Sequence, residues 1–310
     1  MAYEQAERDV AKGSVKAAQD ECRAAVKAGT KYKEDCKDEA DKAYFALKGI
    51  DAAEATFEDK ADATETRKAA AAEDVLRSAT TCKEAADGDA SKLAECDKDA
   101  KEKAAEDLGE AKDYTAMNVD EKAGFDAKFD RITMEARGKK VADAMRANKG
   151  QPKEVRDAAA LDIYKKSQTK TYTEDDAGEK DAKMDFEKAK RDGAKTGLAD
   201  TIKDCKNAGK ADCDAEAETE FADSMGLDKT AGGFKAEYEL FKKDAAASAA
   251  VKKNSACKEE AGADAADCAT LAKKEAAKAL GGEDYDTIQS DPAKKAAFDA
   301  KFDRMTKEAG

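Results

Sequence analysis

YEQAERDVAKGSVKAAQDEC, residues 3–22, and FEKAKRDGAKTGLADTIKDC, residues 186–205, align without a gap from an aromatic residue to a cysteine. The same interval of 19 positions separates Tyr238 from Cys257 in YELFKKDAAASAAVKKNSAC. It also separates Phe129 from Asn148 in FDRITMEARGKKVADAMRAN, where asparagine stands in the cysteine's place. A closer identity links FDAKFDRIT, residues 125–133, to FDAKFDRMT, residues 298–306, which differ at one position of nine. Self-similarity at a fixed interval is the mark of a repeat architecture, in which one supersecondary unit recurs.

A second interval measures the other half of the unit. Thirteen residues after Cys36, Cys96, Cys213 and Cys268 stand Gly49, Gly109, Gly226 and Gly281. The unit is therefore an aromatic-led segment, a first cysteine, a gap of variable length, a second cysteine, and a segment closed by glycine. Five units follow: 1–56 (Cys22, Cys36), 57–119 (Cys82, Cys96), 120–174 (without cysteine), 175–230 (Cys205, Cys213) and 231–290 (Cys257, Cys268), with 291–310 opening a further one. A longer rhythm matches Cys22 to Cys205, Cys82 to Cys257 and Phe129 to Phe302.

Within a unit the periodicity is helical. Phe125, Phe129, Ile132, Ala136, Val141, Ala144 and Asn148 recur every three to five residues, which places them on one helix face. Ser290-Asp291-Pro292 gives a capping residue followed by proline at the first helical position, a start signal. The spacing predicts a long helix of roughly 25 residues, about 38 Å. A shorter helix follows the gap and stops at the glycine, which adopts a left-handed cap at little cost. The predicted fold is all-α: tandem helical hairpins of roughly 60 residues stacked into an elongated solenoid-like array.

Composition agrees with helices and predicts a thin core. The 310 residues include ten Leu, five Ile, eight Val and ten Phe, 33 in all, against 41% charged residues. That share is below the roughly 20% at which a charged chain reads as disordered. However, only Pro152 and Pro292 interrupt the chain, and Ala, Glu and Lys favour helix. A core of alanine buries little area, and core-poor units are commonly reinforced by disulfides.

Insertions fall between the two cysteines of a unit, with 13, 13, 7 and 10 intervening residues, while the flanking intervals stay fixed. Each pair is thus expected to clip the mouth of its own interhelical loop: Cys22–Cys36, Cys82–Cys96, Cys205–Cys213 and Cys257–Cys268. Free thiols and a metal site are the alternatives. Zinc sites favour two to four residues between paired ligands and often use histidine, and this chain has none. The acidic runs Glu174-Asp175-Asp176 and Asp87-Gly88-Asp89 lack the spacing of a calcium loop and read as solvated helix ends.

No catalytic residue, cofactor site or metal site is predicted. The absence of histidine removes the usual acid–base catalyst, and no phosphate loop, dinucleotide fingerprint or nucleophile motif occurs. A net charge of −13 opposes nucleic-acid binding, and no apolar run is long enough to span a bilayer. Tyr3, Phe125, Phe129, Phe186, Phe234, Tyr238, Phe298 and Phe302 are expected to anchor neighbouring units, with contact to a pigment or apolar ligand as the other reading of the aromatic pairs.

The four cysteine pairs and their glycines resemble alanine-rich, cysteine-paired helical repeats found in large predicted proteins of marine microalgae and other protists. The resemblance covers most of the chain and implies an extended, extracellular array; it contributes no functional residues. The cysteine-free third unit departs from it.

The expected function is structural, as a subunit of a filament, appendage or surface assembly that polymerises with itself by lateral or end-to-end contacts. The alternative is a non-catalytic scaffold or linker binding other proteins in an oxidising lumen, for instance around a light-harvesting assembly. A carrier of a small apolar ligand is a third reading. Cysteine usage predicts an extracellular or oxidising-lumen setting, with any secretory signal already removed, because Met1-Ala2-Tyr3-Glu4 does not begin one.

Overall fold

The computed structural model describes residues 2–31, 35–86, 89–110, 112–167, 176–210, 212–259 and 264–309. Among these the protein is all-helical, with no strand. The helices are α1 (Ala2–Lys27), α2 (Asp35–Lys48), α3 (Phe57–Ala86), α4 (Ala90–Asp107), α5 (Val119–Ala147), α6 (Lys153–Lys166), α7 (Asp176–Asn207), α8 (Cys213–Met225), α9 (Phe234–Lys258), α10 (Ala265–Ala279), α11 (Tyr285–Gln289) and α12 (Pro292–Ala309). A 3-10 turn, Tyr114–Ala116, precedes α5.

Local chemistry sets the helix ends. At the start of α5 the Asn118 side chain accepts from the Glu121 amide, and the Glu121 carboxylate accepts from the Asn118 amide, both at 2.9 Å. This reciprocal box satisfies two amides that a helix start leaves open. Asp89, Asp212 and Asp264 cap α4, α8 and α10 in the simpler way, each accepting from a first-turn amide. Asp291 accepts from the Ala293 and Lys294 amides just ahead of α12.

Long and short helices alternate, and each long helix packs on the short helix that follows it: α1 on α2, α3 on α4, α5 on α6, α7 on α8 and α9 on α10. The long helices also pack on one another in chain order, α1 on α3, α3 on α5, α5 on α7 and α7 on α9. The cores between them are small and alanine-rich. One joins Ala71, Ala72, Ala79, Ala100, Ala104 and Ala105 to Val75, Leu108, Met117, Phe125, Phe129 and Ile132.

The expectation of an elongated array needs correction, because α3 packs directly against α9. A solenoid repeat touches only its neighbours. Here α3, α5, α7 and α9 form a closed circuit, with α12 against α9 and α10. The physical cause is a seam that is part alanine and part charge. Ala61 packs with Ala256, Cys257, Cys268 and Leu271, and alanine lets the helices approach closely. Around it the Lys253 ammonium, 2% exposed, donates to Asp62. Lys278 meets Glu58 at 2.9 Å, and Lys68 meets Glu259 at 2.7 Å.

A second feature absent from the sequence reading fixes α5 against α7. Gly138 and Gly193 cross backbone to backbone, and a Cβ built on Gly193 would lie 1.9 Å from the Gly138 carbonyl oxygen. Only glycine on both helices permits this approach.

Candidate functional site

The eight cysteines stand in four pairs at disulfide distance, Cys22–Cys36, Cys82–Cys96, Cys205–Cys213 and Cys257–Cys268, with Cα–Cα separations of 5.4 to 5.7 Å. Each bond joins the end of a long helix to the start of the next short one. In the hairpin without cysteine, Asn148 ends α5, and its side-chain amide donates to the Ala144 carbonyl at 2.8 Å. Disulfides of this kind persist in oxidising surroundings.

Gly49, Gly109, Gly226 and Gly281 lie just past α2, α4, α8 and α10, all at positive φ near 70°. At Gly281 this turn brings the amide to the Lys278 carbonyl at 3.0 Å and satisfies a group that the helix end would leave open. Of the acidic runs, Asp89 is the α4 cap, while Asp87, Gly88, Glu174 and Asp175 lie outside the described residues. Among the described residues no group of three or more cysteines or carboxylates could hold a metal ion, and no helix is long and apolar enough to cross a membrane.

The aromatic residues fall into separate nests. Phe186 sits edge-on to Tyr164, and Phe234 and Tyr238 surround Phe221 together with Phe241. The Tyr3 side chain lies outside the described residues. The remaining four build two junctions with the same contacts. In one, Phe125 and Phe129 of α5 pack into the α3–α4 hairpin; the Tyr114 ring lies 5.5 Å from Phe125, its hydroxyl donates to Asp126, and Lys101 pairs with Asp126 at 2.7 Å. In the other, the half-buried Phe298 and Phe302 of α12 pack onto α9 and α10; the Tyr285 ring lies 5.4 Å from Phe298, its hydroxyl faces Asp299, and Lys273 pairs with Asp299 at 2.8 Å. Sequence reasoning missed Tyr114, Tyr285, Lys101 and Lys273. The signal was present, but the tyrosines precede their phenylalanines by 11 and 13 residues, and that slip hides the correspondence.

Two polar features also escaped the sequence reading. The first is a cavity of about 70 Å3 inside the closed circuit, where Glu65, Lys203, Lys252 and Glu275 converge. Lys203 reaches Glu275 at 3.4 Å, and Lys252 reaches Glu135 at 3.0 Å. One Glu65 oxygen is buried with no hydrogen-bond partner, and burial pushes the Glu65 carboxyl up to about 7 against the pull of Lys253 and Lys203.

The second is a cleft of about 640 Å3 between α1, α3 and α5. Lys12, Lys16, Arg77, Lys139 and Lys140 line it, with Asp9, Glu73 and Asp74 among them. Lys12 holds Glu73 at 2.6 Å. Asp74 takes Lys16 at 3.0 Å, Lys103 at 2.7 Å, and Arg77. Burial works to raise the Asp74 carboxyl, and these donors overcome it and bring it down to about 2. Half-buried Lys140 has no hydrogen-bond or ion-pair partner among the described residues. Burial lowers its pKa, Glu73 opposes this and Arg77 adds to it.

No family model, no curated protein and no solved structure matches this chain.

Proposed function

We propose that this protein is a structural, non-catalytic helical module, the subunit of a filament, appendage or surface assembly in an extracellular or oxidising-lumen setting. The duplicated junction carries the reading. Tyr114, Phe125, Asp126, Phe129 and Lys101 recur as Tyr285, Phe298, Asp299, Phe302 and Lys273 with matching contacts. One docking geometry used twice is how tandem modules extend, each burying its apolar face on its neighbour. The disulfide clips suit the same purpose, since they hold alanine-packed hairpins together where apolar area is scarce.

Negative-stain electron microscopy of native material, with light scattering of the purified oxidised chain from low to high concentration, tests the proposal. Filaments or sheets, and scattering mass that grows with concentration, are expected. A monodisperse monomer at every concentration, recovered from its source with a second polypeptide in fixed ratio, would replace the structural reading with that of a scaffold.

A further inference from the structure

We infer that the cleft between α1, α3 and α5 binds a compact polyanion, a small molecule carrying two or more closely spaced phosphate or sulfate groups. Five cations face three carboxylates there, a local reversal of sign in a chain of net charge −13. The carboxylates are committed: Asp9 and Glu73 to Lys12, and Asp74 to Lys16, Lys103 and Arg77. Lys139 is held by Asp143 at 3.2 Å, so the cation without an ion pair among the described residues is Lys140; beside it Arg77, though paired with Asp74, keeps a side chain that is 71% exposed. A half-buried ammonium with no ion pair of its own is costly, and an arriving anion reduces that cost.

The volume lies within the range of small-ligand sites. Because Lys140 stands on α5 and Arg77 on α3, a single carboxylate could meet only one of them well, whereas a molecule with two anionic groups can meet both walls. Guanidinium and ammonium donors form their shorter and stronger hydrogen bonds to such oxyanions. The acidic surface outside the cleft repels a long polyanion, so the field selects a compact ligand. Lys139 and Lys140 directly follow Gly138, whose backbone is held against Gly193, so the α5 backbone that carries both side chains is fixed beside the cleft.

Calorimetric titration of the full oxidised chain at low ionic strength, with inorganic pyrophosphate and separately with a sulfated disaccharide, tests the inference. Binding of either supports it, and the tighter one identifies phosphate or sulfate as the source. Lys140→Met should weaken that binding about tenfold, the loss of one charge-assisted contact. Lys301→Met should leave it unchanged; burial also lowers the pKa of Lys301, but this lysine lies outside the cleft. Pyrophosphate should also protect Lys140 of the unaltered protein from an amine-acylating reagent, a readout that needs no variant. No heat with either probe, or equal affinity in Lys140→Met and wild type, would overturn the assignment.

Discussion

The α1–α2 hairpin and the α5–α6 hairpin are built to the same plan and held by different means. The first has a covalent bond at its mouth, Cys22–Cys36, and a packed end of Tyr44, Phe45, Val15 and Ala40. The second has Asn148 at the position that cysteine occupies in its relatives, and no bond. Its long helix instead makes a backbone-to-backbone crossing, Gly138 on Gly193, flanked by Val141, Met145, Tyr164 and Phe186. A cross-link constrains the unfolded chain, whereas a glycine crossing acts in the folded state through dispersion and exclusion of water. The unit without the cross-link is the one with the glycine crossing.

The comparison is broken most severely at the crossing. Gly193→Ala places a methyl group against backbone that cannot swing aside, and we expect a loss of more than about 3 kcal/mol in urea denaturation. Gly13→Ala is the control: a Cβ there meets nothing within 4 Å, so that variant should gain up to about 1 kcal/mol from helix propensity. A tolerated Gly193→Ala would mean that α5 and α7 do not cross at this point.

Replacing Cys22 and Cys36 together by serine should cost about 3 kcal/mol, the value for closing a loop of this length. Hydrogen exchange should show the loss concentrated at the ends of α1 and α2, with α5 and α6 as protected as before. If protection fell equally in both hairpins, the hairpins would not be separable units.

The interior charges sharpen the contrast through pH. The Glu65 carboxyl moves from an ordinary 4.5 to about 7 on folding, chiefly by burial. Between those values the folded protein keeps a proton that the unfolded chain has released. Its contribution is therefore complete below about pH 4.5 and is lost as pH rises through 7. Glu65→Gln should equal wild type near pH 4.5 and exceed it in stability by about 3 kcal/mol at pH 8. A stability difference that does not change with pH would refute this. The smallest effect belongs to Asn148→Ala, which removes the bond to the Ala144 carbonyl and should cost about 0.5 kcal/mol by thermal denaturation.

Much of the local architecture is legible in the sequence, because it is written in intervals. Aromatic-to-cysteine and cysteine-to-glycine spacings mark where long helices end and short ones stop, and three-to-four periodicity in residues such as Phe125, Phe129 and Ile132 marks the inward face. The closure of α3 on α9 is not legible. Its seam uses Asp62, Glu65, Lys253 and Lys278, which in a sequence with 41% charge look like solvated faces, and its ion-pair partners lie 191 and 220 positions apart. The cleft is hidden for the same reason: its cations are ordinary lysines until three helices bring them together. The crossing at Gly138 and Gly193 is hidden because a glycine inside a helical pattern ordinarily signals weakness rather than contact.

The cysteine arrangement also governs how the molecule matures. Each bond joins partners only 8 to 14 positions apart, and each cysteine pairs with its immediate neighbour along the chain. The entropy of loop closure favours such short-range encounters over the others among the 105 pairings open to eight cysteines. A chain oxidised as it is synthesised therefore receives its correct bonds one hairpin at a time, from the N-terminal side onward, before α3 has any α9 to meet. Proofreading of the cross-links is built into their order of appearance, and closure of the circuit is left as a late assembly of finished parts.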